Sequence, residues 1–319
     1  MVSDIKEQKQ KKRHHAEVEK GVSDTQTPSN KKRALKRERQ SHRKYFEDVL
    51  RAKDIWNKLR TLSLRKDSEA VSEYMSELMT LLDGKLCKVS LQHDASRVVQ
   101  AMIKYSSEKQ GKKILNELLL PSSEKGMPSP FIEMAKSTYA HFIVLKVITK
   151  YHRDEAAQAK LYKALKGHVV KLAAHAYGSR VLEVAMGDNG FCKKYVKLLK
   201  REFYGKEFCL FDDEADTNKI SLGDIVANLK DEKKEKVFQT LRGILVKCAD
   251  KGAVHYMWYH DLLYEYCSVN PNPGGEVVSG LVGKDNYLIF RMPSFHTLTL
   301  RFRSCYSPDE YKERNLGTV

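Results

Sequence analysis

No stretch of this chain holds 18 consecutive apolar residues, so no membrane-spanning helix is expected. Its first residues lack the apolar segment of a secretory leader, so none is expected. The six cysteines (Cys87, Cys192, Cys209, Cys248, Cys267 and Cys305) never fall as Cys-x-x-Cys, which argues for buried, reduced thiols over disulfides or a zinc site. There is no glycine-rich phosphate loop, no nucleophile elbow and no His-Glu-x-x-His, so no enzymatic activity and no cofactor are expected. His168 and His175 are seven apart but lack a third ligand, so no metal centre is expected there.

What the chain has in excess is positive charge: 57 Lys/Arg against 41 Asp/Glu, a formal net charge of +16. A polyanionic partner suits that balance, nucleic acid first, then an acidic protein or a membrane surface. Half of the excess sits in residues 1–45, with 14 Lys/Arg against 6 Asp/Glu, a net of +8, and almost no large apolar side chains. Such a segment cannot bury enough surface to offset its ordering entropy, and a disordered tail is expected. Its two basic clusters are Lys11, Lys12 and Arg13, then Lys31, Lys32, Arg33, Lys36 and Arg37. They read as nuclear-import or phosphate-binding signals; the plainer reading is a solubilising tail.

From Phe46 the composition turns apolar and periodic. Val49, Ala52, Trp56 and Leu59 form a helical stripe, a cap over the first repeat, with Trp56 as a core anchor. Beyond it one pattern recurs. Counted from Ser96, the apolar positions are Val98, Val99, Met102 and Ile103. Counted from Ser179, they are Val181, Leu182, Ala185 and Met186; counted from His141, they are Ile143, Val144, Val147 and Ile148. The three anchors are 45 and 38 residues apart, and a helical unit recurring at about 40 residues predicts an all-α solenoid. The leading helix of the second unit is expected over Glu108–Leu120, and Asp154 opens the third.

A fourth unit keeps the stripe Tyr195, Leu198 and Leu199, then runs into the acidic stretch Phe211–Asp216 and lacks the pattern. A fifth recovers it with Leu262, Leu263, Tyr266 and Cys267, which puts His260, Asp261 and Tyr264 at the corresponding outer positions. The repeats are thus expected over residues 46–268, about five units with the fourth degenerate. Residues 269–319 form an atypical tail, with a helix-stopping Asn270–Gly275 and a strand-like alternation over Thr297–Tyr306.

Ser96-Arg97-Val98-Val99-Gln100 and Gly178-Ser179-Arg180-Val181-Leu182-Glu183 resemble the base-reading helices of pumilio (PUF) repeats. With the flanking Arg51–Trp56, Gly84–Gln100 and Leu165–Lys171, the chain resembles the nucleolar Puf-A/penguin branch, over about residues 45–268. That resemblance implies a nuclear, nucleolar RNA-binding protein with little sequence preference, active in large-ribosomal-subunit biogenesis and pre-rRNA processing. The partners expected are RNA (pre-rRNA or mRNA), DNA as a further ligand, pre-ribosomal proteins and importin, with no membrane. Two rival readings are a sequence-specific mRNA-binding translational regulator and an armadillo-type protein scaffold.

The residues themselves suit RNA. Gln100 both donates and accepts, as an adenine edge requires, while an ionised Glu183 only accepts, as guanine N–H donors require. Arg97 and Arg180 can stack on bases and pair with phosphate, and Ser96 and Ser179 present a small hydroxyl. In the middle unit His141 takes the serine position and Phe142 can stack, but Leu145 cannot hydrogen-bond a base. A solvated helix face is the plainer reading of each triplet. His93 and His175 are expected to cap or pack.

Neutralising Lys31, Lys32, Arg33, Lys36 and Arg37 together is expected to move a fluorescently tagged chain out of the nucleus. A variant that stays fully nuclear under the microscope removes that cluster as the import signal.

Overall fold

Apolar faces at helical spacing need another helix to cover them, and here each set of helices covers the one before it. The computed structural model describes residues 44–65, 68–121, 129–205 and 221–270, with positions 38, 42 and 208. Among them every regular element is helical. The chain divides into two units, Met1–Leu50 and Arg51–Val319. Helix α1 runs Phe46–Arg65, and its residues from Arg51 belong to the second unit, an α-helical repeat solenoid. The clusters at 11–13 and 31–37, the acidic stretch 211–216, loop residues 122–128 and the tail from 271 lie outside the described residues.

Three sets share one plan: a leading helix, a short helix, then a third helix that joins a row. The first set is α2 (Ser68–Leu81), α3 (Leu86–Ser90) and α4 (His93–Tyr105). The second is α5 (Glu108–Leu118), α6 (Pro130–Lys136) and α7 (His141–Lys150). The third is α8 (Glu155–Leu165), α9 (Val169–Ala173) and α10 (Ala176–Met186). Next come α11 (Lys193–Tyr204), α12 (Leu222–Ala227), α13 (Asp231–Asp250), a 3-10 turn at Ala253–His255, and α14 (Met257–Val269). The row is α4, α7, α10 and α14, each packed on the next. The segments expected as a fourth and a fifth unit therefore add one described row helix between them, and it sits directly on α10.

The row's apolar positions are buried as the periodicity demands: Val98, Val99, Met102, Ile143, Val144, Val181, Leu182, Leu262 and Leu263 are all essentially inaccessible. Burying each aliphatic side chain stabilises the stack by about 1.5–3 kcal/mol. Met186 is only half-buried. In α1 Val49, Ala52 and Leu59 are buried as expected, but Ile55 rather than Trp56 completes the stripe, and Trp56 is half-exposed beside it. An i, i+3, i+4 pattern with both Ile55 and Trp56 apolar leaves that choice open, and packing selects the smaller side chain. Helix α5 stops at Leu118, short of the exposed Leu120. It starts at a capping box in which Ser107 and Gln110 bond each other's backbone N–H, and Asp154 accepts from Ala157 N at 3.0 Å at the start of α8. Among the described cysteines, Cys248 and Cys267 are buried thiols outside any disulfide, and burial pushes Cys248 up to about 12; Cys192 is exposed.

The short helices pose a problem of their own. A helix of five residues cannot supply acceptors for its first N–H groups. The leading helix of the next set does so. Glu117 of α5 accepts from Leu86 N at 2.8 Å and also bonds Gly84 N, at the start of α3. Glu202 of α11 accepts from Gly167 N at 2.7 Å and Val169 N at 3.0 Å, at the start of α9. Burial pushes both carboxyls up, against the pull of those N–H groups. Gly84 (φ +69°) and Gly167 (φ +81°) hold the left-handed turn that aims the donors. Counted back from His141 as Gly84 and Leu86 are from Ser96, the second set has Ser129 and Phe131 at these positions, and the glutamate's place on α8 is taken by Ala164. The first and second sets are also tied at their far ends. Lys150 donates to Ile103 O at 2.7 Å and Ser106 Oγ at 2.6 Å, covering the end of α4.

Glu202→Ala is expected to cost about 1–3 kcal/mol in urea denaturation, since it strands the buried Val169 N–H and takes the acceptor from the Gly167 N–H. Glu117→Ala, on a more exposed site, is expected to cost about 1 kcal/mol. A loss below about 0.5 kcal/mol for Glu202→Ala, the level of a neutral surface change, would discard the capping role.

Candidate nucleic-acid interface

The row helices carry side chains at matching positions, and the structure sorts those positions by role. At the first stand Ser96, His141, Ser179 and His260, with exposures of 2%, 1%, 3% and 5%. Ser96 Oγ donates to His93 O at 3.3 Å and Ser179 Oγ to Ala173 O at 2.6 Å. His141 Nδ1 lies 2.9 Å from Ser137 O, and His260 Nε2 lies 2.6 Å from Val254 O. A carbonyl only accepts, so the proton sits on the bonded nitrogen. Burial, chiefly, and then the Arg180 charge lower the pKa of His141 and keep the ring neutral. The hydroxyls expected to face outward are therefore turned inward: Ser96 closes on the first turn of its own helix, while Ser179, His141 and His260 tie theirs to the segment before. Short polar side chains take such backbone acceptors readily.

At the second position Arg97, Phe142, Arg180 and Asp261 are exposed. The Arg180 guanidinium lies 5.2 Å from the Phe142 ring centroid, so the third set's arginine covers the second set's aromatic. Asp261 stands 3.7 Å from Lys200 Nζ, which also pairs with Glu265 at 2.9 Å. At the third position are Gln100, Leu145, Glu183 and Tyr264. Glu183 accepts from Trp258 N at 3.4 Å, at the first turn of α14, where a carboxylate suits the helix dipole. Trp258 in turn donates its indole N–H to Ser179 O at 3.2 Å and stacks on Phe203 at 5.7 Å. Glu183 is thus committed to holding α14 on α10, a link across 75 residues that no local pattern reveals.

A cavity of about 510 Å³ opens where α1, α4 and α7 meet. Trp56 and Arg60 come from α1, Arg97, Gln100, Lys104 and Tyr105 from α4, and Phe142 and Lys146 from α7. Four cations and three aromatic rings line it, with no carboxylate. Arg60 lies 5.5 Å from the Trp56 ring, and Lys104 Nζ 4.8 Å from the Tyr105 ring and 3.1 Å from its hydroxyl. Of the expected residues, only Arg97, Gln100 and Phe142 come together here. Trp56, Arg60, Lys104, Tyr105 and Lys146 join them from outside the recurring triplets. Their signal in the sequence is the four-residue spacing of Trp56 with Arg60 and of Phe142 with Lys146, which places ring and cation side by side on a helix.

His175 caps α10, its Nδ1 accepting from Gly178 N at 3.4 Å, and His93 packs edge-on against Tyr139 at 4.4 Å. Burial, with Lys136 and, for His168, Lys171 nearby, lowers the pKa of His168 and His175. Among the described residues no group of three or more His, Cys, Asp or Glu is placed to hold a metal ion, and no helix is long and apolar enough to cross a membrane.

A row of stacked helices with polar and cationic residues at fixed positions defines a helical repeat protein, and the chain belongs to the pumilio (PUF) repeat family. The NOP9-like PUF repeat domain matches residues 83–202. Within the family the chain is similar to the Puf-A branch. Pumilio homolog 3 of Homo sapiens is 31% identical over 225 residues, covering 70% of this chain and 32% of that protein. Pumilio homolog 24 of Arabidopsis thaliana is 26% identical over 260 residues, covering 81% of this chain and 37% of that protein. The crystal structure of human Puf-A superposes with a TM-score of 0.64 at 25% identity, over 80% of this chain and 47% of that one. Human Puf-A in complex with DNA superposes with a TM-score of 0.57 at 27% identity, over 72% and 42%. The chain spans about a third of the length of the curated relatives it matches.

Ser179→Ala is expected to lower the thermal midpoint, by the equivalent of about 1 kcal/mol for one buried hydrogen bond. Glu183→Ala is expected to loosen α14 and raise amide exchange in Met257–Val269 above that in α4. Unchanged exchange there would return Glu183 to the set of free surface residues.

Proposed function

We propose that the row helices bind single-stranded nucleic acid, RNA above all, through phosphate contacts and base stacking with little sequence preference. The observation that carries this reading is the cation and aromatic lining where α1, α4 and α7 meet, free of carboxylates. Cations along a path give affinity to any phosphate backbone, and rings stack on any base. The similar human Puf-A has been crystallised with DNA, which supports the same chemistry here. A base-by-base code is disfavoured by the first position, where all four side chains are turned inward, and by Glu183, which holds α14. With its basic tail, the chain on this reading works in the nucleus, in the nucleolus in particular, and assists large-ribosomal-subunit biogenesis and pre-rRNA processing. Importin would carry it there, and pre-ribosomal proteins would be its neighbours.

Affinity for two unrelated single-stranded RNAs and for single-stranded DNA is expected to be similar and to fall steeply with salt. Each neutralised phosphate contributes roughly −0.7 to the slope of log K against log salt concentration. Arg97→Ala and Lys146→Ala should each weaken all three ligands several-fold and flatten the slope by about one contact. A flat salt response with strong preference for one short RNA would favour the sequence-specific regulator. No RNA binding at low salt would leave a protein-binding scaffold.

A further inference from the structure

We infer that the cavity between α1, α4 and α7 seats the terminal, phosphorylated nucleotide of a single strand; this rests on the nucleic-acid reading above. Three features single it out from the rest of the row. The first is its place. Among the described residues no row helix precedes α4, and there α1 supplies a wall through Trp56 and Arg60. Lys53 of α1, 3.5 Å from Asp94 Oδ2, holds the two helices together. A strand lying along the row meets that wall and ends against it.

The second feature is charge. Arg60, Arg97, Lys104 and Lys146 converge on one cavity without a carboxylate. An internal phosphodiester brings one negative charge, whereas a terminal phosphate brings about −1.5 to −2 at neutral pH and a third acceptor oxygen. Four cations match the second better than the first. Two of them, Arg60 and Lys104, rest against rings of the same cavity, which holds their charge at the wall.

The third feature is space. Ala101 lines the cavity at the position where α7, α10 and α14 carry Lys146, Val184 and Glu265. That small side chain leaves room for one nucleotide, and about 510 Å³ lies within the range of small-molecule sites. Trp56 and Phe142 bring rings to the lining, with Arg60 and Arg180 against them, and the Gln100 amide can both donate to and accept from a base edge. Gln100 is the one amide among four cations in this lining, so charge outweighs base reading. The recognition is of an end rather than of a sequence.

The test compares one short RNA sequence carrying a 5′-phosphate, a 3′-phosphate or hydroxyls at both ends, and the same sequence circularised, by fluorescence anisotropy at fixed salt. One phosphorylated form is expected to bind about tenfold tighter than the hydroxyl-ended and circular forms. Ala101→Met fills the cavity without changing charge and should bring that ratio close to one. Trp56→Ala, on a half-exposed side chain, is the second variant should Ala101→Met fail to give a normal melting curve, and should reduce the ratio at least threefold. Lys236→Ala, on the distant α13, should leave the ratio as it is. Equal binding of all four RNAs by the unaltered chain would overturn the inference and leave the general nucleic-acid reading standing. Failure of all four to bind would remove that reading itself. A nucleoside monophosphate that binds alone as tightly as the phosphorylated strand would replace the strand end with a free nucleotide as occupant.

Discussion

A five-residue helix with nothing to receive its first N–H groups is the constraint on which this stack depends. Glu117 and Glu202 meet it from outside, each reaching back from the next leading helix to the short helix of the set before. The contact is charge-assisted, sits at the positive end of a helix, and is partly removed from water, and each of these strengthens it. It also explains why the sets lie in a fixed order and at a fixed distance. A shift of one leading helix by a single turn would carry its carboxylate away from both donors, so register is set by two hydrogen bonds as much as by the apolar contacts.

With the stack fixed in this way, the third helices line up and their side chains divide. The innermost positions close back onto the backbone through Ser96, His141, Ser179 and His260, and the last three join their helices to the segments that precede them. The outer positions are left to chemistry, and there the two halves of the row differ. Toward α1 the outer side chains are cations and rings; toward α14 they are Glu183, Asp261 and Glu265, tied into helix-capping and ion-pair contacts. A phosphate backbone would meet cations in the first half and carboxylates in the second, so within the row the unopposed positive charge gathers toward α1.

The repeating helices are legible in the sequence because a buried stripe has a period that residues one at a time reveal: Val98, Val99 and Met102, then Val181, Leu182 and Ala185, stand at equal offsets and are all buried. Asp154 and His175 are legible as caps for the same reason, being local. Periodicity misplaces Trp56 because it cannot choose between two adjacent apolar residues, and only the packed neighbours reveal that Ile55 fits. The inward turn of Ser96 and Ser179 is hidden because a hydroxyl beside an arginine suits a ligand, yet suits a carbonyl three to six residues back equally well. Glu183 and the cavity are beyond reach for a different cause. One depends on a partner 75 residues away, the other on three helices whose meeting no local pattern records.

The two bridging carboxylates bear on how the chain is made. On a growing chain, Gly84 and Leu86 emerge well before Glu117, 31 residues after Leu86, and Gly167 well before Glu202, 35 residues later. At about 5–20 residues per second, the first and third short helices spend seconds with open donors. On α8 the place of that glutamate is held by Ala164, so the second set has no such carboxylate to await. The second set can therefore close as soon as its own residues are synthesised, giving the first set a finished surface to dock on, while the third must wait for its successor. Translation thus imposes a staggered timetable on a stack whose finished form looks regular.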